Sequence, residues 1–211
     1  MLWVIALVLI IFAGLNAPLA ICAFSLAVLN GLVEVRPELA WIGRPSFFLF
    51  ALALLVVQLL ADLYFVPITV KDRLYLKPER THNSYLHARV QSLFRPLAAA
   101  VIISALPLPA PDWMTAVFGF TCATGIYWLS AWIREYVAMM RGALVLLALE
   151  TLKNALLMGL ALFAFWLPPL ALLLLLLLLL PTIAWTMRLQ REQLLYVHYG
   201  GQRAGEDSRL D

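Results

Sequence analysis

Charge is what this chain has least of. Charged residues make up 13% of its 211 positions, and hydrophobic residues make up 64%. A soluble domain carries nearer a quarter charged residues. A surface built from this composition cannot all face water, so lipid is the expected solvent. Cysteine is scarce too. Cys22 and Cys122 each stand alone in an apolar stretch, with no CxxC and no His/Cys cluster. That excludes a metal signature and leaves both as small buried hydrophobes. His82 and His87 lie in or beside a polar loop without ligand spacing and read as solvated. There is no GxSxG, HExxH, P-loop or spaced Asp-rich run. No enzyme class, metal or cofactor is therefore expected. The formal charge is +3, but no basic face separates from the apolar segments, which argues against nucleic acid as a partner. The start of the chain is apolar, yet no Lys or Arg forms a positive n-region. Ile21 before Cys22 also spoils a lipoprotein cleavage box.

What is present is a rhythm of apolar stretches. Leu2 to Val33 is too long for one straight span of about 20 residues. Gly14, Asn16 and Pro18 interrupt it. The reading is a helix over 2–15, a break at Asn16-Ala17-Pro18, and a second piece to Asn30. This is either one long kinked helix or a re-entrant hairpin. A polar connection follows over 34–45. Ser46 to Val66 is the next span, ended by Pro67. Lys71 to Ser84 is polar, with part of it expected along the membrane surface. Tyr85 to Leu106 starts amphipathic and becomes a span after Arg95-Pro96. Trp113 to Ile133 is another span, Gly142 to Leu167 another, and Leu170 to Met187 the last, kinked at Pro181. The expected fold is an all-α membrane bundle of about six segments, with an inverted repeat one way to relate 1–106 to 113–187. One domain is expected over 1–199, with a disordered cytoplasmic tail over 200–211.

Basic residues return on alternate connections. Lys71, Arg73, Lys77, Arg80, Arg89 and Arg95 surround one, Arg134 and Arg141 mark another, and Arg188, Arg191, Arg203 and Arg209 mark the tail. The connections at 107–112 and Pro168-Pro169 carry no Lys or Arg. By the positive-inside rule the basic connections and the C-terminus face the cytoplasm. The expected location is a bacterial inner membrane, multi-pass.

Ala61-Asp62, Pro67, Asp72 and Phe94-Arg95-Pro96-Leu97-Ala98-Ala99-Ala100 carry a resemblance. Over about 12–190 the chain resembles a bacterial family of small membrane proteins called domain of unknown function four-one-two-six. The family pattern has an Ala-Asp late in an early span, then a Pro and second Asp, then a Phe-x-Arg-Pro-like start to the next span. The chain departs from it in a wider Asp62–Pro67 spacing. In its second half Arg134, Glu150 and Asn154 stand where a His and an acidic pair would be sought. The resemblance implies a polytopic inner-membrane protein and no established activity.

Seven polar residues in apolar surroundings are the candidate site. Glu150, Lys153 and Asn154 share one helix face at i,i+3 and i,i+4. In a helix starting near Gly142, Glu150 lies about 12 Å in. An ionised group at such depth costs about 2.5–3.5 kcal/mol on insertion scales, so it faces protein or water. The bland alternative is an ion pair that glues helices. Gln58 and Asp62 are also i,i+4, with the membrane interface as the plain destination of Asp62. Arg95 suits an ion pair with Asp62 or a phosphate, or serves as a headgroup anchor. Asn16 sits at the helix break, where exposed backbone is tolerated only in a cavity or inside protein. The expectation is a small transporter or lipid-translocating protein with a cytoplasm-facing polar site. The alternative is a non-catalytic subunit or scaffold of a larger membrane complex. Expected partners are membrane lipid, an anionic or amphipathic small molecule, and a second copy or complex subunit.

Overall fold

The computed structural model describes the backbone of residues 1–74, 81–180, 183–184 and 187–188, and the side chains of these apart from 63–74, 81–88, 135–136, 138–144 and 162. Every regular element among the described residues is helical. In chain order these are α1 (Leu2–Leu15), α2 (Ala17–Leu29), a 3-10 helix (Pro37–Gly43), α3 (Pro45–Leu74), α4 (Thr81–Ala105), α5 (Asp112–Ala164) and α6 (Pro168–Leu180). The chain divides into two compact units, Met1–Leu173 and Leu174–Asp211. All that concerns the candidate site lies in the first.

The core of that unit is the interrupted N-terminal segment. α1 and α2 are apolar on all sides, and helices of that kind belong inside. Ala6, Val8, Leu9, Phe12, Ala17 and Phe24 are fully buried. α3, α4 and α5 pack around them. The outer helices instead show large apolar residues, among them Leu49, Phe50 and Val57 on α3 and Trp113, Val117 and Trp128 on α5. Two helices carry a stretch long and apolar enough to cross a membrane, Pro45–Asp62 in α3 and Asp112–Arg134 in α5, while α1, α2 and α6 are apolar but shorter.

The break is narrower than its sequence suggests. A single residue, Asn16, adopts an extended conformation (φ −156°, ψ 97°) between the two helices. Its backbone N–H closes α1 on Phe12 O, and its side-chain Oδ1 accepts from Leu19 N at 3.1 Å to cap α2. Pro18 is not the breaker. It lies in the first turn of α2, where its missing N–H has no helical partner to lose.

Two boundaries differ from expectation. Pro67 does not end α3, whose helical backbone continues to Leu74. A proline removes one donor and kinks a helix without having to stop it. The polar segment expected along the membrane surface falls partly in 75–80, outside the described residues, as do Pro181 and the 200–211 tail. The region of the turn expected at Arg134–Arg141 has helical backbone, inside the 53 residues of α5. That stretch holds good helix formers and no proline.

α5 nevertheless folds back on itself. Arg134 Nε lies 3.9 Å from Glu150 Oε1. In a straight helix these residues would be about 24 Å apart, beyond the reach of both side chains. The α1–α2 junction gives the same answer. Gly14 packs on Ile126, and Asn16 hydrogen-bonds Asn154. A straight rod would hold Ile126 and Asn154 about 42 Å apart. The run is therefore two arms, with the reversal between Arg134 and Glu150.

At the end of α5 where Asp112 lies, Arg36 fastens three strands of chain. Its backbone N donates to Ala105 O, its Nε donates to Leu106 O, and its guanidinium pairs with Asp112.

Candidate functional site

Five segments deliver polar groups to one region: the α1–α2 junction, α3, α4 and the two arms of α5. The delivery follows from helical spacing. On α3, Gln58 and Asp62 are one turn apart, and Gln58 Nε2 donates to Asp62 Oδ1 at 2.9 Å. On α4, Gln91 and Arg95 repeat the spacing, and Arg95 Nε donates to Gln91 Oε1 at 3.1 Å. Gln91 Nε2 then donates to Gln58 Oε1, joining the helices. The result is a head-to-tail chain, Arg95 to Gln91 to Gln58 to Asp62. Every amide dipole points the same way, with a cation at the donor end and a carboxylate at the acceptor end. Aligned bonds of this kind polarise one another in a low-dielectric setting.

Arg95 is the most enclosed charged side chain of the group, 2% exposed. Its Nη1 donates to Gly14 O at 3.2 Å. That contact needs the close approach of α1, which glycine permits: a Cβ on Gly14 would stand 2.8 Å from Ile126 Cβ. The guanidinium also lies over the Tyr127 ring, 5.3 Å from its centroid, and Arg134 lies 6.0 Å from the same centroid. Cation–π attraction of this type strengthens when water is excluded.

The second arm of α5 supplies the other carboxylate. Glu150 is buried and pairs with Lys153 one turn on and with Arg134 across the reversal. Asn154 Oδ1 accepts from Asn16 Nδ2 at 3.1 Å, linking this arm to the helix break. Exposure is graded across the cluster. Asn16, Arg95, Gln91, Gln58 and Asn154 are buried, Asp62 is half-buried, and the Lys153 and Arg134 side chains are 23% and 24% exposed. The cluster is sealed on the Asn16–Arg95 side and opens toward Asp62, Lys153 and Arg134.

All seven residues singled out in the sequence lie in this region. Asn16 joins Asn154, Gln58 joins Asp62, and Lys153 joins Glu150. Arg95 is linked to Asp62 through two glutamines. Glu150 and Lys153 are ion-paired within one helical turn, and Glu150 also pairs with Arg134 across the reversal, which is the helix-gluing arrangement. Gln91, Tyr127 and the Gly14 carbonyl are the additions. Gln91 carried a signal, its i,i+4 spacing to Arg95, which repeats the Gln58–Asp62 spacing. Tyr127 and Gly14 carried none, because a ring and a backbone carbonyl gain their roles only from packing.

Among the described residues no three His, Cys, Asp or Glu side chains converge as a metal site. No protein-family profile matches the chain, and no curated protein or solved structure matches it.

Proposed function

We propose that the chain is a small multi-pass membrane protein that moves a polar or amphipathic solute through a site built from Asp62, Arg95 and Glu150. One observation carries the reading. Charged groups from α3, α4 and both arms of α5 meet behind apolar outer surfaces, and the cluster is closed on one side and open on the other. Ionisable residues at membrane depth are costly and mark solute and proton paths. Apolar faces on α3 and α5 support lipid as their surroundings, and a bundle of about six segments follows if the shorter apolar helices join them. The alternation of basic connections supports a cytoplasmic open side in a bacterial inner membrane. A broken helix meeting a charged cluster is the arrangement by which transporters line a site. In this mechanism a proton on Asp62 or Glu150 changes the charge of the cluster. The Gln58–Gln91 chain passes that change to Arg95.

The second reading is a structural subunit of a membrane complex. The Arg134–Glu150 pair and the Asn16–Asn154 bond favour it, since each joins separate helical segments.

The test is cellular. Asp62→Asn and Glu150→Gln are expected to abolish activity while membrane insertion stays normal, as followed by complementation of a deletion strain and by membrane fractionation. Full complementation by both variants would remove the transport reading.

A further inference from the structure

The Arg95 guanidinium is buried among groups that do not use it up. It has five N–H bonds. One on Nε goes to Gln91 and one on Nη1 to Gly14 O. The remaining donors make no hydrogen bond to the described residues, and no described carboxylate comes within ion-pair distance of it. A buried cation is ordinarily paired. Here it shares the Tyr127 ring with another cation, Arg134.

The wider count agrees. Among the described residues, Arg95, Arg134 and Lys153 supply three positive charges to the cluster, and Asp62 and Glu150 supply two negative ones. Among these described groups one positive charge is in excess, and Arg95, the most buried of them, holds two N–H groups in hydrogen bonds to described residues. A ligand carrying a single negative charge would complete it.

We propose that the cluster binds the anionic oxygens of a phosphate group, with the spare N–H bonds of Arg95 as first contact and Arg134 as second. The proposal rests on the transport reading and gives its solute a chemical class. A guanidinium fork matches two oxygens of a phosphate at once. A tetrahedral phosphate also has oxygens for a second guanidinium out of that plane, which a flat carboxylate lacks. A phosphodiester carries the one charge the cluster is missing. The same chemistry is offered by a phospholipid headgroup and by free phosphate, and the test separates them.

The full chain is purified in detergent, and binding is measured by calorimetry for three probes. These are inorganic phosphate, dioctanoyl phosphatidylglycerol, and dioctanoylglycerol, which has the same tails and no phosphate. Binding of the first identifies a free anion. Binding of the second alone identifies a headgroup. Either supports the site, provided Arg95→Lys and Arg95→Gln weaken it at least tenfold. Glu150→Gln removes one opposing charge and is expected to tighten it several-fold. That variant decides the matter if the Arg95 variants fail to fold, because a merely structural cluster predicts no tightening. Equal binding of the two lipids with none of phosphate overturns the proposal, as does unchanged affinity in folded Glu150→Gln. Reconstituted vesicles separate the two readings. Phosphate-probe binding without movement across the vesicle wall removes transport and leaves the site standing. Movement of a solute that phosphate probes neither join nor inhibit removes the phosphate site and leaves transport standing.

Discussion

Asn16 Nδ2 donates to Asn154 Oδ1 across 3.1 Å, and the same Asn16 side chain caps α2 through its oxygen. One side chain thus ends a helix break and ties it to α5. The two functions separate by substitution. Asn16→Ser keeps an N-cap oxygen and loses the reach to Asn154. Asn16→Ala loses both. An N-cap lost to alanine costs about 0.5–2 kcal/mol, and an interhelical hydrogen bond in a membrane protein averages about 0.6 kcal/mol. Asn16→Ala is therefore expected to be the more destabilising, with Asn16→Ser close to Asn154→Ala. Unfolding in mixed micelles by SDS titration reads the order, and Asn16→Ser matching Asn16→Ala would show that the cap contributes little.

The reversal of α5 has a direct distance test. Spin labels on cysteines introduced at Trp128 and Met158 would sit about 45 Å apart on a straight helix. The folded-back arms bring them well below that, to within about 25 Å, since Ile126 and Asn154 both reach the α1–α2 junction. Cys22 and Cys122 would first be replaced by alanine. A single pulsed-EPR distance near the straight-helix value would refute the reversal.

Two glycines should respond in opposite ways to alanine. A Cβ on Gly14 meets Ile126 Cβ and Cγ2 at 2.8 Å and the Ala123 carbonyl at 3.1 Å. These are backbone and branch-point atoms that cannot swing aside. Gly14→Ala must push α1 from α5 and carry the Gly14 carbonyl away from Arg95, and overpacking of this kind costs about 1–3 kcal/mol. Gly125 sits mid-helix with open space where its Cβ would go. Gly125→Ala should be neutral or stabilise by up to about 1 kcal/mol. Thermal unfolding of the two variants side by side checks the contrast.

Much of the candidate site was legible because its parts are local. Gln58–Asp62 and Glu150–Lys153 are one-turn pairs, which spacing alone places on shared faces. Asn16 was legible as a polar interruption in an apolar run. The joins between elements were not. Nothing in the spacing of Gln91 says that its amide meets Gln58 on another helix, or that Gly14 presents its carbonyl to Arg95. Those contacts come from packing across long stretches of chain. Pro18 and Pro67 misled for one reason. Proline disturbs only particular helical hydrogen bonds, and its effect depends on where in the helix it falls. The Arg134–Arg141 region was legible in part. Its charge density marked the neighbourhood of the reversal, while its helical hydrogen bonding, from good helix formers and no proline, was not anticipated.

The buried place of α1 and α2 bears on how the protein is made. These helices leave the ribosome before the elements that enclose them. The partner of Asn16 follows 138 residues later. At about 5–20 residues per second, that is roughly 7–28 s of synthesis. Throughout that interval the Asn16 side-chain N–H group lacks its partner, although α3 and α4 are made earlier. The tie that fixes the break to α5 can therefore form only after the helices that enclose it have been made.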